Sequence, residues 1–156
     1  MPLCCDVINA LQGKTLVTAE SCTGGGIGAA ITGVSGSSGV YKGGIISYTN
    51  WVKQNVLHVD GELLEREGAV SAPVAKAMAE GARAVLKADI AVSVTGLAGP
   101  GGDDYGNPVG RVYIGYCDCC TTEVRDFTFS GDRESVRSQA VEEALKLILE
   151  MQSKNP

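Results

Sequence analysis

The stretch Thr15 to Gly28, TLVTAESCTGGGIG, constrains the fold of this chain more than any other. It begins apolar and β-prone at Leu16 and Val17, then turns through Glu20, Ser21, Cys22 and Thr23. Three glycines follow, ahead of a small-residue run from Ile27 to Thr32. That order predicts a buried strand, a tight turn and the N-terminus of a helix packed close to a sheet. Such turns bind ligands because backbone N–H groups and the helix dipole converge there. Ser21 brings a hydroxyl to the turn and Cys22 a thiol, so a nucleophile and an anion site can share one place. The GxGxxG spacing and the GxxxxGK[ST] lysine are both missing, so neither a dinucleotide fold nor a P-loop follows. The plain alternative is a turn whose glycines only let a helix approach a sheet.

Composition narrows the class. At 156 residues the expectation is a single domain, 1–156, large enough for a layered core. Twenty-one glycines against five prolines predict many tight turns rather than disorder. A net charge of −5 argues against nucleic acid or an anionic membrane as partner. No stretch reaches the roughly 18 apolar residues that a membrane span needs. The start, MPLCCDVINA, lacks the basic flank and apolar length of a signal peptide, so a cytoplasmic location is expected. Cys4 and Cys5 are adjacent, Cys22 lies in the glycine turn, and Cys117, Cys119 and Cys120 cluster. Cys117 and Cys120 have CxxC spacing, but no second CxxC or histidine pair completes a zinc site, and His58 is the only histidine. No metal is expected, and free thiols are the default in the cytosol.

Taken in order, the chain alternates between helix and strand signals. Asp6 to Leu11 predicts a short helix, Lys14 to Ala19 the first strand, and Thr23 to Thr32 a helix with Thr23 as N-cap. A Gly/Ser-rich loop spans Gly33 to Gly44. Ile45 to Tyr48 predicts a strand, followed by Thr49 and Asn50 as caps of a helix over Trp51 to Leu57. A further short helix is expected over Gly61 to Glu67. Ser71 with Pro73 marks another helix start, and Val74, Met78, Ala82 and Val85 form its apolar face through to Leu86. Asp89 to Val94 predicts a strand buried on both faces, ending in the glycine-rich loop Thr95 to Gly102. Gly110 to Cys117 and Thr122 to Phe129 predict an antiparallel hairpin. Asp132 then caps a helix to about Met151, with Val136, Ala140, Ala144, Leu147 and Ile148 inward. The pattern predicts an α/β fold: a three-layer α/β/α sandwich with a mixed, mostly parallel sheet.

In such sheets the loops at strand carboxyl ends gather into one crevice. The Ser21 turn, the Tyr48 to Lys53 segment and the Thr95 to Gly102 loop would meet there. A Ser-His-Asp triad does not fit, because His58 lies past the helix predicted to end at Leu57. A lysine held neutral is the other familiar way to activate a serine. Lys53 is placed for that role, in the first turn of a helix whose dipole disfavours an ammonium; the alternative is a solvated helix lysine. Cys22 is the rival nucleophile, its pKa lowered by the same helix N-terminus, or else a buried space-filler. Arg133 and Arg137 share one face of the last helix, Arg133 in its first turn. A cation there opposes the dipole, so an anion is expected nearby, either Asp132 and Glu134 or a ligand phosphate.

Several separate segments now carry a resemblance: AESCTGG (19–25), SYTNWVK (47–53), GAVS (68–71), VTGLAGPGG (94–102), PVGRVYI (108–114) and FSGDRESVR (129–137). Together they resemble the CinA C-terminal domain family over roughly residues 5 to 151. That family includes the nicotinamide mononucleotide deamidases, which yield nicotinic acid mononucleotide and ammonia. The resemblance implies a three-layer α/β/α domain, no metal or other cofactor, a small-molecule nucleotide substrate, and a homodimer. It also implies a serine nucleophile with a lysine partner, which by motif are Ser21 and Lys53. Longer members carry a separate nucleotide-hydrolysing domain ahead of this one, for which 156 residues leave no room. The cysteines at 4–5 and 117–120 depart from the pattern.

On this reading the reaction is amide hydrolysis through an acyl-enzyme. Backbone N–H groups near Thr23, Gly24 and Gly25 hold the oxyanion, and Tyr48 and Asn50 orient the ring or the lysine. Thr95, Gly96, Gly99, Gly101 and Gly102 line the nucleotide site, with Arg133 or Arg137 on the phosphate. Two other classes stay open: a non-catalytic nucleotide sensor, and a redox or metal-responsive interaction module built on Cys22 and the Cys117 to Cys120 cluster.

Overall fold

The computed structural model describes residues 2–154. Five strands form one sheet: β1 (Leu16–Glu20), β2 (Tyr41–Ile46), β3 (Ile90–Gly96), β4 (Arg111–Cys117) and β5 (Thr122–Thr128). Their spatial order is β2-β1-β3-β4-β5. β1 pairs in parallel with β2 and β3, whereas β4 is antiparallel to both β3 and β5. The sheet is therefore mixed as expected, but evenly divided rather than mostly parallel. A parallel pairing needs a crossover connection, usually a helix. Only a loop, residues 97–110, joins β3 to β4, so the chain returns antiparallel.

Helices cover both faces. α1 (Pro2–Ala10), α2 (Gly26–Thr32) and α6 (Arg133–Lys154) pack on one side; α5 (Ala72–Leu86) covers the other, with α4 (Gly61–Glu67) against it. The short α3 (Asn50–Asn55) follows β2. Strand alternation sorts the apolar side chains into two cores. Leu16, Ile90, Val92, Val94, Val112, Ile114 and Tyr116 pack with the α1, α2 and α6 layer. Val17, Ala19 and Ala91 pack with Leu64, Val74, Met78, Ala79 and Ala82. Three layers result. No helix among the described residues is long and apolar enough to cross a membrane.

Several boundaries move for local reasons. α1 starts at Pro2 rather than Asp6, because Cys4 packs as a small apolar residue with Val7, Ile8 and Leu11 and extends the buried stripe by one turn. β2 begins at Tyr41, four residues ahead of the expected Ile45. It is an edge strand paired only to β1, and its glycines hide the signal. Thr23 is not the cap of α2; Gly25 holds the N-cap position, and α2 starts at Gly26. On α5 the inward face is Val74, Ala75, Met78, Ala79 and Ala82, while Val85 is 39% exposed. On α6, Asp132 accepts from the Ser135 N–H at 2.9 Å, and all five predicted inward residues are buried.

Gly81 shows how tightly α5 is packed. A Cβ there would overlap the Leu57 carbonyl oxygen, which is backbone and cannot swing aside. Helix propensity alone favours alanine by about 1 kcal/mol, but the overlap outweighs it. Gly81→Ala should therefore destabilise the domain by about 1–3 kcal/mol. Thermal unfolding should show a Tm fall of roughly 2–10 °C, whereas a raised Tm would contradict this packing.

Candidate active site

β1 ends in Glu20, and its side chain, only 2% exposed, decides the shape of the turn that follows. One carboxylate oxygen accepts from the Thr23 hydroxyl at 2.7 Å and the Ile27 N–H at 2.8 Å; the other accepts from the Gly28 N–H at 3.0 Å. A buried carboxylate has to be satisfied by donors, and the first N–H groups of a helix need an acceptor. Glu20 meets both demands and holds α2 against the sheet. Gly24 and Gly25, at φ 59° and 103°, make the reversal between them. Ser21 sits at the start of this turn, its N–H donating to the Val94 carbonyl of β3 at 3.0 Å.

Lys53 reaches the same point from α3. It is 1% exposed, and its Nζ lies 3.0 Å from Ser21 Oγ, 2.7 Å from the Ser47 carbonyl oxygen and 3.4 Å from that of Tyr48. No ion pair among the described residues involves it. Burial without a counter-charge pushes its pKa down to about 8. The cause is desolvation rather than the expected helix dipole, and a solvated helix lysine is excluded. Thr49 caps α3, its side chain accepting from the Val52 N–H. Cys22 behaves differently: burial raises its thiol to about 11, against the lowering expected at a helix start. It packs in the core with Ile27 and Ile31.

Ser21 and Lys53 open into a cleft of about 640 Å³. Tyr48, Asn50, Thr95, Gly96, Gly99, Gly101, Gly102 and Arg133 line it with them, so the three predicted loops do converge. His58 is exposed and not among the lining residues.

A family model described as CinA C-terminal domain matches residues 5–152. The chain belongs to the CinA C-terminal domain family. A CinA-like protein of Synechococcus sp. (strain RCC307) is 50% identical over 139 residues, which are 88% of this chain and 33% of that protein. The chain thus spans about a third of the length of the curated relatives it matches. Among solved structures, the competence damage-inducible protein A (ComA) of Klebsiella pneumoniae subsp. pneumoniae MGH 78578 aligns with a TM-score of 0.96 and 36% identity, covering 99% of this chain and 98% of that one. The competence/damage inducible protein CihA of Agrobacterium tumefaciens gives 0.93 and 36%, covering 96% and 93%.

Within this CinA domain the remaining predicted residues divide. Arg133 is in the cleft, donating to the Gly99 carbonyl at 2.9 Å and the Tyr48 hydroxyl at 3.3 Å. Arg137 is not: it donates to the Cys22 and Thr23 carbonyls and lines a separate cavity with Thr23, Gly26 and Val141. Thr23 gives its hydroxyl to Glu20, and Gly25 faces a third cavity beside Ile46. The Gly24 N–H is spent on the Ser21 carbonyl at 3.1 Å, so it is not free to hold an oxyanion. The Thr95 hydroxyl donates to the Ala69 carbonyl at 2.8 Å and builds wall.

Sequence reasoning missed Glu20 as the clamp and Asp103, Asp104 and Tyr105 as lining. Asp103 Oδ1 accepts from the Tyr105 and Asn107 N–H groups, and Asn107 Nδ2 donates to the Val70 carbonyl at 3.0 Å. These bonds tie the loop down as one wall of the cleft. The aspartate and asparagine four apart were the available signal.

Glu20→Gln should test the clamp. An NH₂ would face N–H donors where an oxygen now accepts, and a charged hydrogen bond is worth about 1.5–3 kcal/mol. Urea unfolding should show a lower midpoint at unchanged m-value; an unchanged midpoint would mean the carboxylate does not hold the turn.

Proposed function

We propose that this protein is an amidohydrolase that converts nicotinamide mononucleotide to nicotinic acid mononucleotide and ammonia, with Ser21 as nucleophile and Lys53 as its base. The observation that carries this reading is the buried Lys53 Nζ, 3.0 Å from Ser21 Oγ, with no ion pair to it among the described residues and a pKa of about 8. At pH 7 about one such lysine in ten is neutral. In that form the Ser21 hydroxyl donates to the Nζ lone pair, while two N–H bonds point to the Ser47 and Tyr48 carbonyls.

The reaction then runs as an acyl transfer. Nζ takes the Ser21 proton as Oγ attacks the carboxamide carbon. The ammonium so formed finds three acceptors already in place, Ser21 Oγ and the two carbonyl oxygens. It returns a proton to the departing ammonia. Water, deprotonated by the same lysine, releases the acid. With the Ser21 and Gly24 N–H groups spent, the N–H of Cys22, which lines the cleft beside Ser21, is left for the oxyanion; one such donor is typically worth about 10²–10³ in rate.

The cleft suits a mononucleotide. Small-molecule sites run to roughly 300–1,000 Å³, and this one is about 640 Å³. Arg133 is the arginine lining it, which supports a phosphate at that end, beside the Tyr48 hydroxyl that it bonds, and Asn50 lines the same cleft. Cys5, Cys22, Cys117, Cys119 and Cys120 are free thiols, which fits the reducing cytoplasm where nucleotide salvage would take place.

An ammonia-release assay on nicotinamide mononucleotide tests the reading directly; binding without release would make the domain a sensor. Ser21→Ala should lose at least about a thousandfold in kcat without a change in Tm, while Cys22→Ala keeps most activity. Reversed results would make the enzyme a cysteine hydrolase. Below pH 8, kcat/KM should rise about tenfold per pH unit and level off above it, because the neutral lysine is the active form. Lys53→Arg should be nearly inactive throughout, since a guanidinium keeps its proton.

The two arginines should separate by substrate. Arg133→Ala should lower kcat/KM for the mononucleotide by roughly 10- to 150-fold, the worth of one charge-assisted contact, and leave the riboside nearly unaffected. Arg137→Ala, which frees the Cys22 and Thr23 carbonyls, should affect both substrates alike. Equal loss on both substrates for Arg133→Ala as well would move the phosphate site elsewhere in the cleft.

A further inference from the structure

We propose that the tip of the β4–β5 hairpin is a binding site for a thiophilic divalent cation of the zinc and cadmium class, held by the thiolates of Cys119 and Cys120 with Asp118. The two sulfurs are 3.1 Å apart and both side chains are exposed. Together with a carboxylate oxygen of Asp118, their ligand atoms all lie within 4.8 Å of one another.

The pairing differs from the CxxC spacing in the sequence. Cys117 is buried, its thiol donating to the Asp118 carbonyl at 3.6 Å and accepting from the Thr122 hydroxyl. The turn instead brings the two neighbours together. Asp118 sets it, with Oδ1 accepting from the Cys120 and Thr121 N–H groups and Oδ2 from the Tyr116 hydroxyl.

Backbone spacing favours an ion over a disulfide. Neighbouring Cα atoms across a trans peptide are about 3.8 Å apart, short of the roughly 4.4–6.8 Å that an unstrained disulfide spans. A tetrahedral ion with metal–sulfur bonds of about 2.3 Å holds its sulfurs about 3.8 Å apart. Rotation of one exposed side chain opens the observed separation to that value. Cys4 and Cys5 are adjacent too, but on a helix neighbours point about 100° apart; Cys4 is buried and Cys5 exposed.

Charge around the tip is mixed. Arg83, Lys14 and Asp89 line the adjoining cavity. A cysteine thiol ordinarily carries its proton at neutral pH and binds a metal as the thiolate, so binding displaces two protons: two S–H bonds break, two metal–sulfur bonds form, and nothing is oxidised. The site is remote from the cleft. Cys117 pairs with Ala91 and Val112 with Gly96, so the hairpin tip lies at the other end of β3, about 16 Å along the strand.

The test is a cadmium chloride titration of the whole protein, reduced with a phosphine and kept free of oxygen, following the ultraviolet thiolate-to-cadmium charge-transfer band. One equivalent should bind, with two protons released into a weak buffer. Cys119→Ser and Cys120→Ser should each lose the two-thiolate band, while Cys5→Ser keeps it. Circular dichroism of the variants checks that the hairpin remains folded, as expected for exposed side chains. A wild-type protein without the band, or a C119S/C120S double variant that binds one equivalent with the same band, overturns the proposal.

Discussion

The carboxylate of Glu20, buried between the sheet and α2, is the interaction on which the geometry of the site depends. A charge in that position is tolerable only with donors on its oxygens, and it takes them from the start of α2 and from Thr23. The turn between strand and helix then has little freedom. Ser21 lies beside the clamp in the chain and is delivered to the cleft by it. Arg137 closes the turn from outside by bonding the Cys22 and Thr23 carbonyls, and the Val94 carbonyl holds Ser21 from the sheet.

Lys53 presents the complementary case. Its ammonium would be more stable in water, and no ion pair among the described residues repays the loss. The same burial that makes it a costly residue brings its pKa down to about 8. Cys22, adjacent to Ser21, is affected oppositely: the environment that disfavours an ammonium also disfavours a thiolate, so burial silences the thiol. One low-dielectric pocket thus moves the two groups oppositely, lowering the Lys53 ammonium toward neutrality and keeping the Cys22 thiol protonated.

Sheet direction divides the molecule into two ends. β1, β2 and β3 run the same way, so the loops after them share an edge and form the cleft. β4 runs back, which places the cysteine-bearing turn at the far edge. Oppositely directed strands keep the cleft and the cysteine turn apart.

Much of this was written in local pattern. The alternating elements, the two-sided burial of Ile90 to Val94, the inward stripe of α6 and the convergence of three loops follow from periodicity, caps and glycine turns. So does the candidacy of Ser21 and Lys53, which the motifs place in a CinA-type arrangement. Local pattern failed where the deciding partner is distant in sequence. Glu20 looks like a turn residue until Ile27 and Gly28 fold over it, and Arg133 and Arg137 look equivalent until one faces the cleft and the other the back of the turn. The 3.0 Å contact between residues 21 and 53, the depth that shifts the lysine, and the closeness of the sulfurs at 119 and 120 were likewise decided only by tertiary structure. The sequence by itself determined which groups were available, because periodicity and turn chemistry act over a few residues. Distance, burial and dielectric are properties of the packed whole, and they decided which of those groups meet and in what charge state.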